Sequence, residues 1–168
     1  MRILAITNQK GGVGKTTTSV NLAASLAAKN KSVLLVDLDP QGNATTGSGI
    51  DKSTITASIY DVLIQSKSFR DITLACKRGG FDLAPSNRDL AGAEVELVNE
   101  SKRETRLKDA LQHLKKEYDY VLLDCPPALN LITVNALTAA DAVLIPMQCE
   151  YYALEGLSDL VNTIKKVR

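Results

Sequence analysis

Short apolar runs alternate with longer amphipathic segments along the whole chain. Residues 33–36 and 121–123 are apolar at every position, which is typical of strands covered on both faces in a parallel sheet. The pattern predicts five strands, at residues 3–7, 32–38, 81–84, 120–124 and 142–146. The intervening segments repeat apolar residues at helical spacing and predict helices over residues 16–29, 90–114, 131–139 and 151–167. The second of these is long and charged, and fits either two helices or one bent helix.

Strands that alternate with helices indicate an α/β fold, here a doubly wound, mostly parallel sheet flanked by helices. The length of 168 residues predicts a single domain over residues 1–168. The last predicted helix reaches the end of the chain, so we expect this domain to be incomplete at its C-terminus. Residues 41–53, rich in Gly, Ser, Thr and Asn, are the predicted flexible stretch, and residues 77–80 are a predicted turn.

The composition of the chain argues against several classes of function. Aromatic residues make up only 4% of the chain, so the core must be aliphatic. The net charge of +1 lacks the basic excess that nucleic-acid-binding modules usually show. The three cysteines are widely spaced and form no C-x-x-C pair, which argues against a thiolate metal site. No apolar run is long enough for a signal peptide or a membrane helix, so the prediction is a cytoplasmic protein without a membrane partner.

A glycine-rich loop follows the first predicted strand and precedes the first predicted helix, as a phosphate-binding P-loop requires. Its glycines permit a tight turn that points backbone N–H groups at phosphate oxygens, and the helix N-terminus adds partial positive charge. In such a loop Lys15 contacts the β and γ phosphates and the Thr16 hydroxyl ligates Mg2+. ATP and Mg2+ are the expected ligands. The predicted nucleotide-binding residues are Lys10, Gly11, Gly12, Val13, Gly14, Lys15, Thr16 and Thr17.

Three carboxylates, Asp37, Asp39 and Asp124, lie at the ends of two buried strands. Ligands of open α/β sheets bind at the carboxyl ends of the strands, so all three are expected on the phosphate-loop side. Asp124 follows an apolar strand, as a Walker B aspartate near Mg2+ does, and the predicted metal-site residues are Thr16, Asp37 and Asp124. Each carboxylate also has an alternative interpretation without a function. Asp124 could be a surface carboxylate at a strand end, and Asp39 could form a turn with Pro40. For Asp37, the functional and the purely structural interpretations are balanced.

Gln9 stands where an ordinary P-loop has glycine, and Lys10 precedes the glycine pair. This pattern, K-G-G-x-G-K-S/T, is the deviant Walker A motif, and the sequence resembles the ParA/MinD family of ATPases. Residues 37–45 are similar to the first switch of the ParA/Soj branch, and the turn at Pro126 and Pro127 resembles its second switch. Further similarity at residues 81–91 and 145–157 extends the resemblance over essentially the whole chain.

The resemblance implies roles for single residues. Lys10 matches the signature lysine that crosses a dimer interface to the partner's nucleotide, Asp39 would position the attacking water, and Asp37 would support the metal shell. Lys10, Lys15 and Asp39 are therefore the expected catalytic residues. The family implies an ATP-sandwich homodimer that hydrolyses ATP slowly in plasmid or chromosome partitioning. Its partners would be a ParB-like centromere-binding protein and nonspecific DNA, with nucleoid association.

Two alternatives stay open. One is an ATP-dependent metabolic ligase of the same fold, such as a dethiobiotin or cobyrinate synthase, although residues 39–43 argue against it. The other is a nucleotide-binding fragment that neither hydrolyses ATP nor binds DNA. The main basic region that relatives use for DNA is missing from this sequence. The small cluster of Lys165, Lys166 and Arg168 is explained more simply as a solvated helix end.

Overall fold

A computed structural model describes residues 1–114, 117–149 and 153–167 of the chain. In these ranges six strands form one sheet. They are β1 (Arg2–Ile6), β2 (Val33–Asp37), β3 (Leu74–Cys76), β4 (Phe81–Ala84), β5 (Tyr120–Asp124) and β6 (Ala142–Leu144). The strand order is β3-β4-β2-β5-β1-β6, and every neighbouring pair is parallel except β3 with β4.

Helices connect the strands. They are α1 (Lys15–Ala27), α2 (Asn43–Gly47), α3 (Ile59–Leu63), α4 (Phe69–Ile72), α5 (Leu90–Leu97), α6 (Arg106–Gln112), α7 (Leu131–Ala139) and α8 (Ala153–Val167). A short 3-10 helix at Lys52–Thr54 follows α2. Within the described ranges, none of the helices combines the length and apolarity that a bilayer crossing needs.

The sheet is buried on both faces, which explains its continuous apolar runs. Leu34 and Val36 of β2 pack into one core with the inward faces of α3 to α7. Val33 and Leu35 point to the opposite face and pack into a second core with α1 and α2. The doubly wound, mostly parallel fold predicted from the sequence is therefore confirmed.

All five predicted strands are present, and residues 90–114 contain two helices, α5 and α6. The prediction misses β3, an edge strand of only three residues, whose Leu74 is 36% exposed. It also misses α3 and α4, although each begins with a serine and an aspartate three residues later that form a capping box.

Residues 41–53 differ most from expectation. They contain α2 and the 3-10 helix instead of an irregular flexible stretch. The physical reason lies outside the segment, because the buried Asp37 carboxylate accepts hydrogen bonds from Thr45 in the first turn of α2. The helix predicted over residues 151–167 corresponds to α8, which begins at Ala153. Residues 151 and 152 of that prediction, and Arg168, lie outside the described residues.

Candidate functional site

The candidate site lies where β1, β2 and β5 end at the same edge of the sheet. The strand register aligns Ile6 of β1 with Asp124 of β5, and Asp37 of β2 with the same Asp124. β1 leads directly into the glycine-rich loop, and α1 begins at Lys15. The topology therefore brings the loop and both strand-end aspartates together, as the carboxyl ends of parallel strands should.

The loop backbone needs glycine at two positions. Gly12 (φ 74°) and Gly14 (φ 88°) are in the left-handed region, which side chains with a Cβ rarely adopt. A Cβ built at Gly11, Gly12 or Gly14 would meet no atom within 4 Å, so the surface of the loop is open. No side chain caps the start of α1. The first-turn N–H groups of this helix can therefore donate hydrogen bonds to an anion such as a phosphate.

Lys15 is largely buried, with 8% of its surface exposed. Its Nζ donates to the carbonyl oxygen of Lys10 at 2.9 Å, so the side chain folds back along the loop. Burial lowers the pKa of the ammonium group, and the nearby charges of Asp124 and Asp39 oppose that shift. The structure therefore buries the loop lysine at the start of α1, next to Thr16, which contacts Asp124.

Asp124 is fully buried at the end of β5 and accepts two hydrogen bonds from α1. Thr16 Oγ1 donates to Asp124 Oδ2 at 2.9 Å, and Ser19 Oγ donates to Asp124 Oδ1 at 2.7 Å. Burial raises the pKa of this carboxyl group, while the Ser19 and Thr16 hydroxyls and the Lys15 charge lower it. The alternative of a surface carboxylate at the strand end is wrong for Asp124.

Thr16 and Asp124 have the kind of oxygen atoms that bind magnesium. Both supply hard oxygen ligands, and Mg2+ is usually held by one or two protein carboxylates together with phosphate oxygens and waters. Within residues 1–114, 117–149 and 153–167, no group of three or more His, Cys, Asp or Glu side chains could hold a metal by itself. A magnesium ion would therefore need ligands such as a hydroxyl and the nucleotide's phosphates.

Asp37 is as deeply buried as Asp124 but has different partners. Its Oδ1 accepts from the N–H of Asp39 (3.1 Å), and its Oδ2 accepts from the N–H (2.8 Å) and the Oγ1 (2.7 Å) of Thr45. Burial raises the pKa of Asp37 to about 7, with the Thr45 hydroxyl opposing the shift and the Asp124 charge adding to it. Both carboxylate oxygens of Asp37 thus hold the segment that follows β2. That Asp37 also supports the metal site stays a prediction.

Asp39 is half-buried and forms a tight turn. Its Oδ1 accepts from the N–H of Gln41 at 2.8 Å, and its carbonyl oxygen accepts from the N–H of Gly42 at 2.8 Å. The turn-forming role considered for this residue is therefore present. The N–H of the preceding residue, Leu38, donates to the Asp124 carbonyl oxygen at 2.9 Å, so Asp39 also lies at the site.

The other loop residues differ in exposure. Val13 is buried, whereas Lys10 and Thr17 are exposed on the loop and the first turn of α1. The Lys10 N–H donates to Asn8 Oδ1 at 3.0 Å. Lys10 is therefore at the protein surface, whereas Lys15 and Asp124 are buried.

Sequence reasoning misses three contributors to the site. Ser19 lies one helical turn after Thr16, so helical spacing could have identified it as a second hydroxyl on the same face of α1. Asn8 Nδ2 donates to the Pro146 carbonyl at 2.9 Å, and Gln148 Nε2 donates to the Gly12 carbonyl at 3.3 Å. These two contacts tie the segment after β6 to the loop, and no local sequence signal indicates them.

Comparison with known proteins finds relatives that match the whole chain. The whole chain, residues 1–168, matches a family model described as an AAA domain. It is 58% identical over 167 residues to the sporulation initiation inhibitor protein Soj of Bacillus subtilis, covering 99% of this chain and 66% of Soj. It is 56% identical over 167 residues to the chromosome partitioning protein ParA of Myxococcus xanthus, covering 99% of this chain and 59% of ParA.

Among solved structures, cobyrinic acid a,c-diamide synthase from Mycobacterium smegmatis, with bound ATP analog and magnesium, matches with a TM-score of 0.95 and 43% identity. That match covers 99% of this chain and 68% of the other. The chain spans 66% and 59% of the length of Soj and ParA, respectively. By the match over its whole length, the chain belongs to the AAA domain family, and it is similar in sequence to Soj and ParA.

Proposed function

We propose that this chain binds Mg-ATP, hydrolyses it slowly and uses it to control dimerisation in plasmid or chromosome partitioning. One observation carries the proposal: the contact of Thr16 with the buried Asp124, beside Lys15 and the uncapped start of α1. These are the groups that hold a nucleotide's phosphates and its metal in P-loop proteins.

Each residue has a distinct part in the proposed reaction. The backbone N–H groups of residues 11–17 and the Lys15 ammonium group would bind and orient the phosphates. Thr16 and Asp124 would hold Mg2+, which neutralises charge on the phosphate oxygens when bound. Asp39, which follows Leu38 at the edge of the site, would position the attacking water. Phosphoryl transfer depends mainly on such positioning and charge, so these groups suffice for slow hydrolysis.

Dimerisation is proposed from Lys10. Its side chain is exposed, and it occupies the position of the signature lysine in the motif that this chain shares with ParA/Soj-like proteins. A second copy, related by a two-fold axis, would bring its own Lys10 to the nucleotide of the first. ATP would then hold two chains together, and hydrolysis would release them.

Partitioning is supported by the names of the relatives, Soj and ParA. A ParB-like partner, nonspecific DNA and a cytoplasmic, nucleoid-associated location form the rest of the proposal. In this chain the exposed Lys165 and Lys166 near the end of α8 are the described members of the terminal basic cluster. Contacts with DNA phosphates would show as a mobility shift that weakens steeply with salt.

The test compares wild type with Lys10→Ala and Lys15→Ala, and uses Lys29→Ala, an exposed lysine just beyond α1, as the matched control. Mass in solution is measured by light scattering with ATP and Mg2+, together with nucleotide affinity and phosphate release. Wild type and Lys29→Ala should dimerise with ATP. Lys10→Ala should bind ATP with little change but stay monomeric, and Lys15→Ala should lose ATP binding. Dimerisation of Lys10→Ala equal to wild type would refute the role of Lys10.

The ligase alternative has one observation in its favour, the 43% identical structure named as a cobyrinic acid a,c-diamide synthase. The same phosphate-release assay separates the two functions. Stimulation by cobyrinic acid would favour a ligase, whereas stimulation by DNA with a ParB-like protein would favour partitioning.

A further inference from the structure

The Thr45 side chain bridges two strands at the edge of the site. It lies in the first turn of α2 and is fully buried. Its Oγ1 donates to Asp37 Oδ2 at 2.7 Å and accepts from the N–H of Ser86 at 3.0 Å. Asp37 ends β2 and Ser86 follows β4, so one hydroxyl joins the ends of two neighbouring strands. We call this arrangement of Asp37, Thr45 and Ser86 the Thr45 bridge.

The bridge requires a hydroxyl, because the group acts as donor and acceptor at the same time. Serine or threonine can do both, whereas valine, which has nearly the shape of threonine, can do neither. All three residues of the bridge are buried, so water cannot easily replace a lost partner. Removal of the hydroxyl would leave the Ser86 N–H without its acceptor.

The bridge also fixes the segment that carries Asp39. The Asp37 carboxylate accepts from the N–H of Asp39 at one oxygen and from Thr45 at the other, so both ends of the turn between them are attached to the same group. Within this turn Gly42 (φ 61°) is crowded, and a Cβ there would lie 3.0 Å from the Ser86 carbonyl oxygen. The turn has little freedom to move while the bridge is intact.

From these contacts we infer that Thr45 is a positioning residue for ATP hydrolysis, which acts by holding the Asp39 carboxylate in place beside Lys15 and Asp124. This inference rests on the proposed ATPase function. Thr45 touches neither Lys15 nor Thr16 through any described hydrogen bond, so its effect should fall on the reaction rate rather than on nucleotide binding. Small displacements of a positioned group reduce rates strongly, by as much as about 100-fold per ångström.

The test uses Thr45→Val and Thr45→Ser, with Thr46→Val as the matched control. Thr46 is the next residue of α2, is exposed, and its hydroxyl donates to the Gly42 carbonyl without reaching Asp37. Thr45→Val should lower kcat for ATP by roughly 10-fold or more while KM changes by less than about 3-fold. Thr45→Ser should restore most of kcat, and Thr46→Val should keep it.

A second measurement is independent of activity. Hydrogen exchange at the Ser86 amide should be faster in Thr45→Val than in wild type, Thr45→Ser or Thr46→Val, because only Thr45→Val removes the acceptor of that N–H. Unchanged exchange at Ser86, or a kcat of Thr45→Val within about 2-fold of an active wild type, would overturn the inference. Equal losses in Thr45→Val and Thr45→Ser would also overturn it. An inactive wild type would instead refute the proposed function and with it the positioning role, while exchange at Ser86 would still report whether the bridge exists.

Discussion

Asp124 and Asp37 are two buried aspartates in register at the ends of adjacent strands, yet their surroundings differ. The Asp124 carboxylate accepts from two side-chain hydroxyls of α1, those of Thr16 and Ser19. Asp37 accepts from the backbone N–H groups of Asp39 and Thr45 and from one hydroxyl. Hydroxyls can turn toward another ligand, whereas a backbone N–H moves only with its chain. Aspartate therefore has surroundings suited to a metal at the end of β5, where Asp124 lies, and holds the backbone at the end of β2, where Asp37 lies.

The glycines near the two aspartates show the same contrast. Gly12 and Gly14, on the loop beside Asp124, have open space where a Cβ would lie. Gly42, in the turn after Asp37, would place a Cβ 2.8 Å from Lys52 Cδ and 3.0 Å from the Ser86 carbonyl oxygen. One side of the site is open to a ligand, and the other is packed by protein.

The largest effect should come from Asp124→Asn. The neutral amide cannot supply the charge that the proposed Mg2+ site needs, so ATP hydrolysis should fall by roughly 100-fold or more, a loss of the order seen for other groups that stabilise charge in transition states. Phosphate release at saturating ATP and Mg2+ measures this. Asp109→Asn, at an exposed position on α6, is the control and should keep wild-type activity. If Asp124→Asn were about as active as the control, Asp124 would not be the metal-holding aspartate, and the proposed difference from Asp37 would be refuted.

Alanine at Gly42 and at Gly12 should separate the packed side from the open side. Both positions have positive φ, which costs an alanine about 1 kcal/mol, but only Gly42→Ala adds a clash with backbone. Gly42→Ala should therefore lose about 2 kcal/mol or more of unfolding free energy in urea, and Gly12→Ala about half as much. ATP affinity, measured by calorimetry, should fall more in Gly12→Ala. Equal losses of stability would contradict the contrast in packing.

The last effect concerns the dependence of stability on pH. The pKa of Asp37 is raised from an ordinary 3.8 to about 7, so between these values the folded protein holds a proton that the unfolded chain has lost. Stability should therefore fall as pH rises from 5 to 7, by up to about 1.4 kcal/mol per pH unit. The raised pKa of Asp124 adds a change of the same sign.

Urea unfolding at pH 5, 6 and 7 without nucleotide measures this dependence. Asp37→Asn should flatten the decline, because residue 37 then no longer titrates. A decline of the same steepness in wild type and Asp37→Asn would assign the effect to Asp124 or other groups.

The phosphate loop could be predicted because its signal is local. The strand, the glycines, Lys15, Thr16 and the helix follow one another within a short stretch, and each has the conformation that its residue type favours. The carboxyl-end rule for parallel sheets also predicts Asp124 and Asp39 near this loop. The alternation of apolar runs and helical segments gave the order of the main elements for the same reason.

The segment after β2 could not be predicted, because its structure depends on distant partners. α2 is short and polar, and its first turn is held by Asp37, eight residues before Thr45, and indirectly by Ser86. β3 has exposed residues at two of its three positions, so only its pairing with β4 defines it. Composition alone suggested flexibility for residues 41–53, whereas tertiary hydrogen bonds organise part of them.

The hydrogen bond from Lys15 Nζ to Lys10 uses the carbonyl oxygen and not the side chain of Lys10. In the proposed dimer, Lys10 has two separable parts: its carbonyl oxygen holds Lys15 within its own chain, and its side chain would contact the second chain. Substitution changes only the side chain, so natural variation or mutagenesis can alter assembly while the local architecture around Lys15 is conserved. A family built on this loop could therefore diversify how its members associate without rebuilding how each one holds its nucleotide.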